Sequence, residues 1–405
     1  HDDNAMKLHQ DTFKFMFNAG SESATDRREA APQPAPEQSP LEPGESTALP
    51  SPAKRGDLPV LAPAPPKSIG RQRAAEPTAY QYVMEGHADQ SVEKYLELAN
   101  ADISVLKPVA TPCIDDHMIA PEDFEAKGAL DAVASRIVLK VLYLARISRP
   151  DLLWSVNILA REVTRWTKAC DRRLLRLISY LHRTRDYTLQ CYVGDTPDKC
   201  VVAYFADASF AGDLKDSKST SGGVLCLIGP HTYVPVTWLC KKQGAVSHST
   251  SEAEIISLET GTRMEAIPAL MLWDVVIACF SGNKILPQKP ACQPKSAFDV
   301  DWVPQSAVLP FGEAKVILLE DNDAVIKMII KGRAPALRHV TRTHRVDLDW
   351  LFERVREDPG IDIKYIHTKA QLADLLTKGS FTADLWRALL RLAQIGPSKS
   401  KTSTQ

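Results

Sequence analysis

The sequence predicts an α/β fold: a mixed, five-stranded sheet flanked by helices, preceded by a small helical unit and a Pro-rich segment with no core of its own. Three observations lead there. Between Ala132 and Leu181 apolar residues recur at helical three-and-four spacing. After Lys199 they contract into short runs separated by turn residues, as strands do. From Ser249 onward helical and strand-like runs alternate, the pattern of a sheet with helices on its faces.

At 405 residues the chain exceeds what one hydrophobic core usually serves. Residues 1–78 read as a disordered linker, because from Ser21 to Pro77 they are rich in Pro, Ala, Ser and Glu and lack apolar periodicity. Residues 79–197 read as a helical segment. In it Ile137, Val138, Val141, Leu142 and Ala145 form a stripe that stops before Pro150, and Leu152, Leu153, Val156, Leu159, Val163 and Trp166 form the next. Leu174, Leu177, Ile178 and Leu181 form a third, with arginines between Arg161 and Arg185 on the other positions, either a solvated face or a track for phosphates.

Residues 198–380 carry the sheet. Val201 to Ala206 is a strand ending at Asp207, and Gly223 to Ile228 and Tyr233 to Cys240 continue it as a meander. Ser249 and Glu252 have the spacing of a capping box, so a helix starts there, followed by another over Ala269 to Ala278. Residues 281–310 read as an inserted polar loop. Val316 to Leu319 is a buried strand running into Glu320 and Asp321. Helices over Ala324 to Ile330 and Val346 to Val355, a strand over Ile361 to Ile366 and a helix opening near Ala370 follow, and residues 381–405 form a last helix and tail.

The formal net charge is −1, so any surface for a polyanion has to be local. Eight cysteines without a C-x-x-C pair predict neither a zinc site nor a disulfide framework, and reduced thiols predict an intracellular protein. No apolar run reaches the roughly 18 residues of a membrane span, which predicts a soluble chain with no membrane partner. A first residue of His predicts a piece of something longer. No nucleophile elbow supports Ser/His/Asp hydrolysis. Asp115 and Asp116 follow Thr111-Pro112 and precede a polar loop, unlike a polymerase pair on an apolar hairpin, so polymerisation is expected to be absent.

Acidic residues at strand ends and first helical turns converge at one rim of an α/β sheet, whereas ordinary surface carboxylates scatter. Asp207, Glu254, Asp321 and Asp374 fit that description, although any one of 50 acidic residues taken alone is more often a solvated surface group. Glu252 and Glu254 lie about 200° apart round a helix and cannot share a site, and Glu252 already serves the cap. A cluster of four carboxylates repels itself unless cations neutralise it, and oxygen ligands select hard ions such as Mg²⁺, with Mn²⁺ as a substitute. Two such ions about 4 Å apart would stabilise the entering and leaving oxygens of a phosphodiester hydrolysis.

Several stretches, in order and spacing, resemble the ribonuclease H domain of copia-type retrotransposons. They are Phe205 to Asp213 (FADASFAGD), Ser219 to Gly223 (STSGG), Trp238 to Gln243 (WLCKKQ), Ser249 to Glu254 (STSEAE), Glu320 to Ala324 (EDNDA) and Gln371 to Lys378 (QLADLLTK). Glu93 to Leu96, Lys107 to Pro112 and Ala145 to Asp151 are similar to the segment after the polymerase palm in the same Pol polyproteins, so the resemblance covers residues 90–395. It departs at Phe210, where the family has Trp, in the longer loop after Ser281, and at Glu313 to Leu319. The resemblance implies a ribonuclease H-like fold, two Mg²⁺ ions and cleavage of the RNA strand of RNA/DNA hybrids. It implies Asp207, Glu254, Asp321 and Asp374 as metal ligands, reverse transcriptase and integrase as polyprotein partners, and a cytoplasmic, virus-like-particle setting with access to the nucleus.

Lys241, Lys242, Arg338, Arg342, His344 and Arg345 are candidates to hold a hybrid through phosphate and 2′-hydroxyl contacts, each also readable as a solvated basic turn. His367, ahead of the last acidic segment, is a candidate proton shuttle or a surface-loop histidine. The alternative to a nuclease is a non-catalytic, nucleic-acid-binding remnant of a decayed element. The four acids standing together favour the nuclease.

Overall fold

The computed structural model describes residues 78–213, 215–280 and 312–398, so the expected linker up to residue 77, the whole of the inserted loop 281–310 and the end of the tail from residue 399 lie outside the described residues. In chain order the elements begin with β1 (Thr78–Tyr82), α1 (Glu85–Ala99), α2 (Ala134–Ile147), α3 (Leu153–Arg161) and α4 (Lys168–Arg183). Then come β2 (Tyr187–Val193), β3 (Val201–Ser209), β4 (Thr220–Gly229), β5 (Thr232–Lys242), α5 (Thr250–Gly261) and α6 (Ile267–Phe280). After the undescribed stretch follow β6 (Val316–Glu320), α7 (Asp323–Lys331), α8 (Leu348–Glu357), β7 (Ile361–Tyr365), α9 (Ala383–Leu392) and β8 (Ile395–Pro397).

The architecture is α/β with a mixed sheet, but the sheet has eight strands rather than the expected five, in the order β1-β2-β5-β4-β3-β6-β7 with β8 on β2. Both β1 and β2 come from the segment expected to be helical. Tyr187, Leu189, Cys191 and Val193 do alternate with Thr188 and Gln190, a strand signal hidden behind the arginine-rich helix before it. β1, largely exposed, pairs along β2 as an edge and carries no apolar signal to read.

β3 is buried along almost its whole length because both of its faces are covered. Ala203 and Phe205 face one core with Ile317, Leu319 and residues of α1 to α4 and α9; Val202, Tyr204 and Ala206 face the other with Val316, Leu318 and residues of α5 to α8. β3 pairs antiparallel with β4 and parallel with β6, in a register that sets Phe205 beside Leu319. That parallel pairing puts the carboxyl ends of β3 and β6 at one rim, where open α/β sheets present their ligand sites.

The helices of the first core are fastened through a buried ion pair. Arg149 donates from Nε and Nη2 to the two carboxylate oxygens of Asp151 (2.9 and 2.8 Å) and from Nη1 to the Thr184 carbonyl (2.7 Å). Tyr180 donates its hydroxyl to Asp151 (2.9 Å) and accepts from the indole of Trp386 on α9 (3.1 Å). Arg149 therefore links the turn after α2 to the end of α4, and Asp151 carries the link through Tyr180 to α9. Removing one member of a buried pair leaves the other charge uncompensated at about 3–5 kcal/mol. Asp151→Ala is expected to cost that much in urea denaturation, while Arg387→Ala, whose pairing with Asp384 is exposed on both sides, costs far less; equal costs would refute the hub role.

Candidate metal centre

The rim of the sheet gathers carboxylates from separate parts of the chain. Asp207 is the last but two residue of β3, and Asp321 follows β6 directly. Extending the parallel register by two residues sets these two side by side, pointing to the same face. Glu254 arrives from α5, which packs on β3. Carboxylate oxygens of Asp207, Glu254 and Asp321 all lie within 4.8 Å of one another. They open into a cavity of about 490 Å³ that Asn322, Thr250 and Lys378 also line.

Local sequence explains why Glu254 faces the site and Glu252 does not. Ser249 Oγ accepts from the Glu252 amide (3.1 Å) while Glu252 Oε2 accepts from the His248 amide (3.0 Å), a reciprocal cap. Glu252 Oε1 is further held by His339 Nε2 (3.2 Å) and lies 3.3 Å from His344 Nε2. Glu254, two residues on, turns to the opposite side of the helix.

The backbone around Asp207 is clamped from both faces. Ser257 Oγ on α5 donates to the Asp207 carbonyl (2.8 Å), and Gln371 Nε2 donates to the Ala206 carbonyl (2.8 Å). Thr377 Oγ1 donates to Asp207 Oδ2. Gly222, opposite Asp207 on β4, leaves room for this: a Cβ there would stand 2.4 Å from Thr377 Cγ2.

Asp374 sits beside the trio rather than within it. The expected helix opening near Ala370 is replaced by two 3₁₀ turns, Thr368–Ala370 and Leu372–Leu376, because the buried Gln371 between them is spent on β3. Asp374 Oδ1 is bound by Lys378 Nζ (2.5 Å), and the same ammonium lies 3.9 Å from Asp207 Oδ1. Lys378, Thr377 and Gln371 all belong to the QLADLLTK stretch. Their signal was position: each flanks Asp374 by three or four residues, within reach of one turn.

Other candidates are placed as follows. Lys242 is committed to Asp213 (2.5 Å) and Asp216 (2.7 Å), while Lys241, Arg338, Arg342 and Arg345 are exposed. The His344 side chain is 2% exposed and its Nε2 lies 3.3 Å from Glu252 Oε1, facing the start of α5 rather than the surface where the other candidates stand. His367 is exposed, caps the Thr368–Ala370 turn, and its Nδ1 accepts from the Lys369 amide (3.1 Å). Neighbouring Thr368 donates to Asp321 Oδ2 (2.9 Å). Asp115 caps a 3₁₀ turn and Asp116 pairs with Arg173 at 2.6 Å.

The residues fit a hard divalent cation: every donor is a carboxylate oxygen, and Glu254 Oε2 is buried without a hydrogen-bond partner. Burial, then the charges of Asp207, Glu320 and Asp321, push Glu254 from 4.5 up to about 11. Burial and Asp207 push Asp374 from 3.8 to about 7 against the pull of Lys378. Asp207 is raised as well, chiefly by burial, and Glu320, buried behind Asp321, well above its ordinary value for the same reason.

An acid whose folded pKa is raised contributes stability that is fully present below its unfolded pKa and lost as pH rises through the folded one. The thermal midpoint of the metal-free protein is therefore expected to fall from about pH 4 upward, through the Asp374 value near 7 and on toward that of Glu254. Glu254→Gln should flatten this slope, and so should saturating Mg²⁺. Melting curves in chelator across that range check it, and a midpoint that rises with pH in the wild type, or an unaltered slope in the variant, contradicts it.

Two Pol polyproteins of Arabidopsis thaliana are similar to this chain. The retrovirus-related Pol polyprotein from transposon RE2 is 32% identical over 182 residues, and that from transposon RE1 is 29% identical over 175. Each match takes in 43% of this chain and only 11% of the relative, so the chain spans about a tenth of their length. Secreted RxLR effector protein 161 of Plasmopara viticola is 32% identical over 123 residues, 30% of this chain and 82% of that protein. Neither a family model nor a solved structure matches the chain. The matches to transposon polyproteins, in agreement with the motif order, mean that this chain belongs to the copia-type retrotransposon Pol polyproteins.

Proposed function

We propose that residues 198–380 form a ribonuclease H-like domain, a metal-dependent endoribonuclease that cuts the RNA strand of RNA/DNA hybrids, and that residues 79–197 are the end of a reverse transcriptase region packed against it. One observation carries this reading: Asp207, Glu254 and Asp321, from three segments far apart in sequence, converge within 4.8 Å at an open rim. Nothing in core packing requires three acids to meet there, and their mutual repulsion opposes it.

Asp207, Glu254 and Asp321 would hold a divalent cation such as Mg²⁺, with Asp374 alongside for a second. A cation bound there supplies Lewis-acid stabilisation to the entering and leaving oxygens of a phosphodiester. The chain's own contribution is to keep the ligands rigid. Ser257, Gln371 and Thr377 fix Asp207 in backbone and side chain, Thr368 orients Asp321, and the α5 cap fixes the helix that carries Glu254. The exposed Lys241, Arg338, Arg342 and Arg345 are the groups left to meet phosphates. Reverse transcriptase and integrase regions of the same polyprotein are the proposed partners.

The test is cleavage of an RNA/DNA hybrid with Mg²⁺ or with chelator, alongside RNA/RNA and DNA/DNA duplexes. Hybrid cutting that needs Mg²⁺ is expected. Asp207→Asn, which keeps size and removes one ligand charge, should lower it by several orders of magnitude while hybrid binding, set by Lys and Arg, falls far less. A variant that cuts at the parental rate overturns the site assignment, and binding without cutting in the parent leaves a nucleic-acid-binding remnant.

A further inference from the structure

We propose that Lys378 is a resident counter-ion that keeps the second cation position, between Asp207 and Asp374, closed until nucleic acid draws it away, so that the free protein takes up one divalent cation and not two. The inference rests on the metal-centre reading above and deepens it.

The geometry divides the acids into two sets. Asp207, Glu254 and Asp321 stand together, and among the described residues neither Glu254 nor Asp321 forms an ion pair with a lysine or arginine. Asp374 has its Oδ1 occupied by Lys378 at 2.5 Å, and from there Nζ reaches Asp207 Oδ1 at 3.9 Å. A unit positive charge thus already bridges the two carboxylates that a second cation would share. It is also fixed from below: the Lys378 amide donates to the Asp374 carbonyl (3.2 Å), so the backbone carries acid and base as one turn.

Two further features make the arrangement reversible. The side chain is 38% exposed, so its ammonium can leave without breaking the core, whereas Asp374 itself is buried. Lys378 is also the basic residue among those lining the cavity, and hence the one an entering phosphate would meet there. A phosphate offers the ammonium a charged partner of equal kind, and moving to it uncovers Asp374. The wild-type site is then complete for one cation when empty of nucleic acid and for two when loaded.

The experiment is a titration of the full chain with MnCl₂ alone, counting bound Mn²⁺ by calorimetry and by its free-ion paramagnetic resonance signal, for wild type, Lys378→Gln, Lys378→Arg and Asp207→Asn. One ion is expected on the wild type and on Lys378→Arg, two on Lys378→Gln, and a large loss of affinity in Asp207→Asn. Two ions of similar affinity on the wild type, or still one on Lys378→Gln, overturns the proposal while leaving the metal centre standing. No binding to any of the four proteins overturns both. If Lys378→Gln does not fold, the acylation rate of Lys378 in the wild type decides, read by mass spectrometry. It should rise severalfold as Mn²⁺ is taken far past the first equivalent, and a rate that does not respond overturns the proposal.

Discussion

Repulsion among buried carboxylates is the constraint to which the rest of this structure answers. Asp207 and Glu254 are buried and Asp321 partly so, and burial makes the repulsion between ionised carboxylates there stronger than it would be in water, so their supports must hold them together. The parallel pairing of β3 with β6 fixes the two aspartates at one level, since the pairing that sets Phe205 beside Leu319 sets the residues two further on beside each other too. Packing on both faces of β3 removes the strand's freedom to twist them apart. Gly222 then lets the Leu372–Leu376 turn close over the sheet, bringing Thr377 and Lys378 to the acids.

The supporting layers lie well away from the site but bear on its rigidity. Arg149 and Asp151 join the helices of one core to α9, so the chain's last helix is held by residues more than two hundred positions earlier. On the other face, Glu252 fixes the start of α5 through the His248 amide and the His339 imidazole, with His344 packed close by. Each network spends a buried charge on position. Replacing such a pair with apolar residues often leaves stability unchanged or higher, so the natural reading of both is that they specify geometry.

Much of this was legible in the sequence because the signals were local. The two-sided burial of β3 was written in the unbroken apolar run from Val201 to Ala206, and the α5 cap in the spacing of Ser249 and Glu252. The acids of the trio were legible because each stands at the end of an apolar run or in the first turns of a capped helix. What escaped was non-local. β1 is an exposed edge whose strand conformation is dictated by β2, and β8 is three residues held by the same partner. The 3₁₀ path through Asp374 follows from Gln371 bonding β3 across 165 residues of sequence, which no helical periodicity encodes. The exposed basic side chains were legible as residues but not as surfaces: Lys242 turned out to neutralise its own neighbouring aspartates, and His344 to face inward.

Metal binding and folding are linked in such a site. A carboxylate cluster that is under-neutralised in the empty protein raises the free energy of the fold, and whatever neutralises it lowers that free energy by the amount of its binding to the native state alone. Lys378 supplies one positive charge and Thr377 one hydrogen bond, enough to hold Asp374 and Asp207 but not Glu254, whose buried oxygen has no partner at all. The unmet demand is therefore greatest at Glu254, whose Oε2 is buried without a hydrogen-bond partner. On the proposed reading, a first cation would gain most by entering beside Glu254. A second would have to displace an ammonium that is already well placed, and would gain correspondingly less. If the site takes up two cations as proposed, the unequal neutralisation of its acids, set by a single side chain, would give the two positions different affinities without any difference in ligand type.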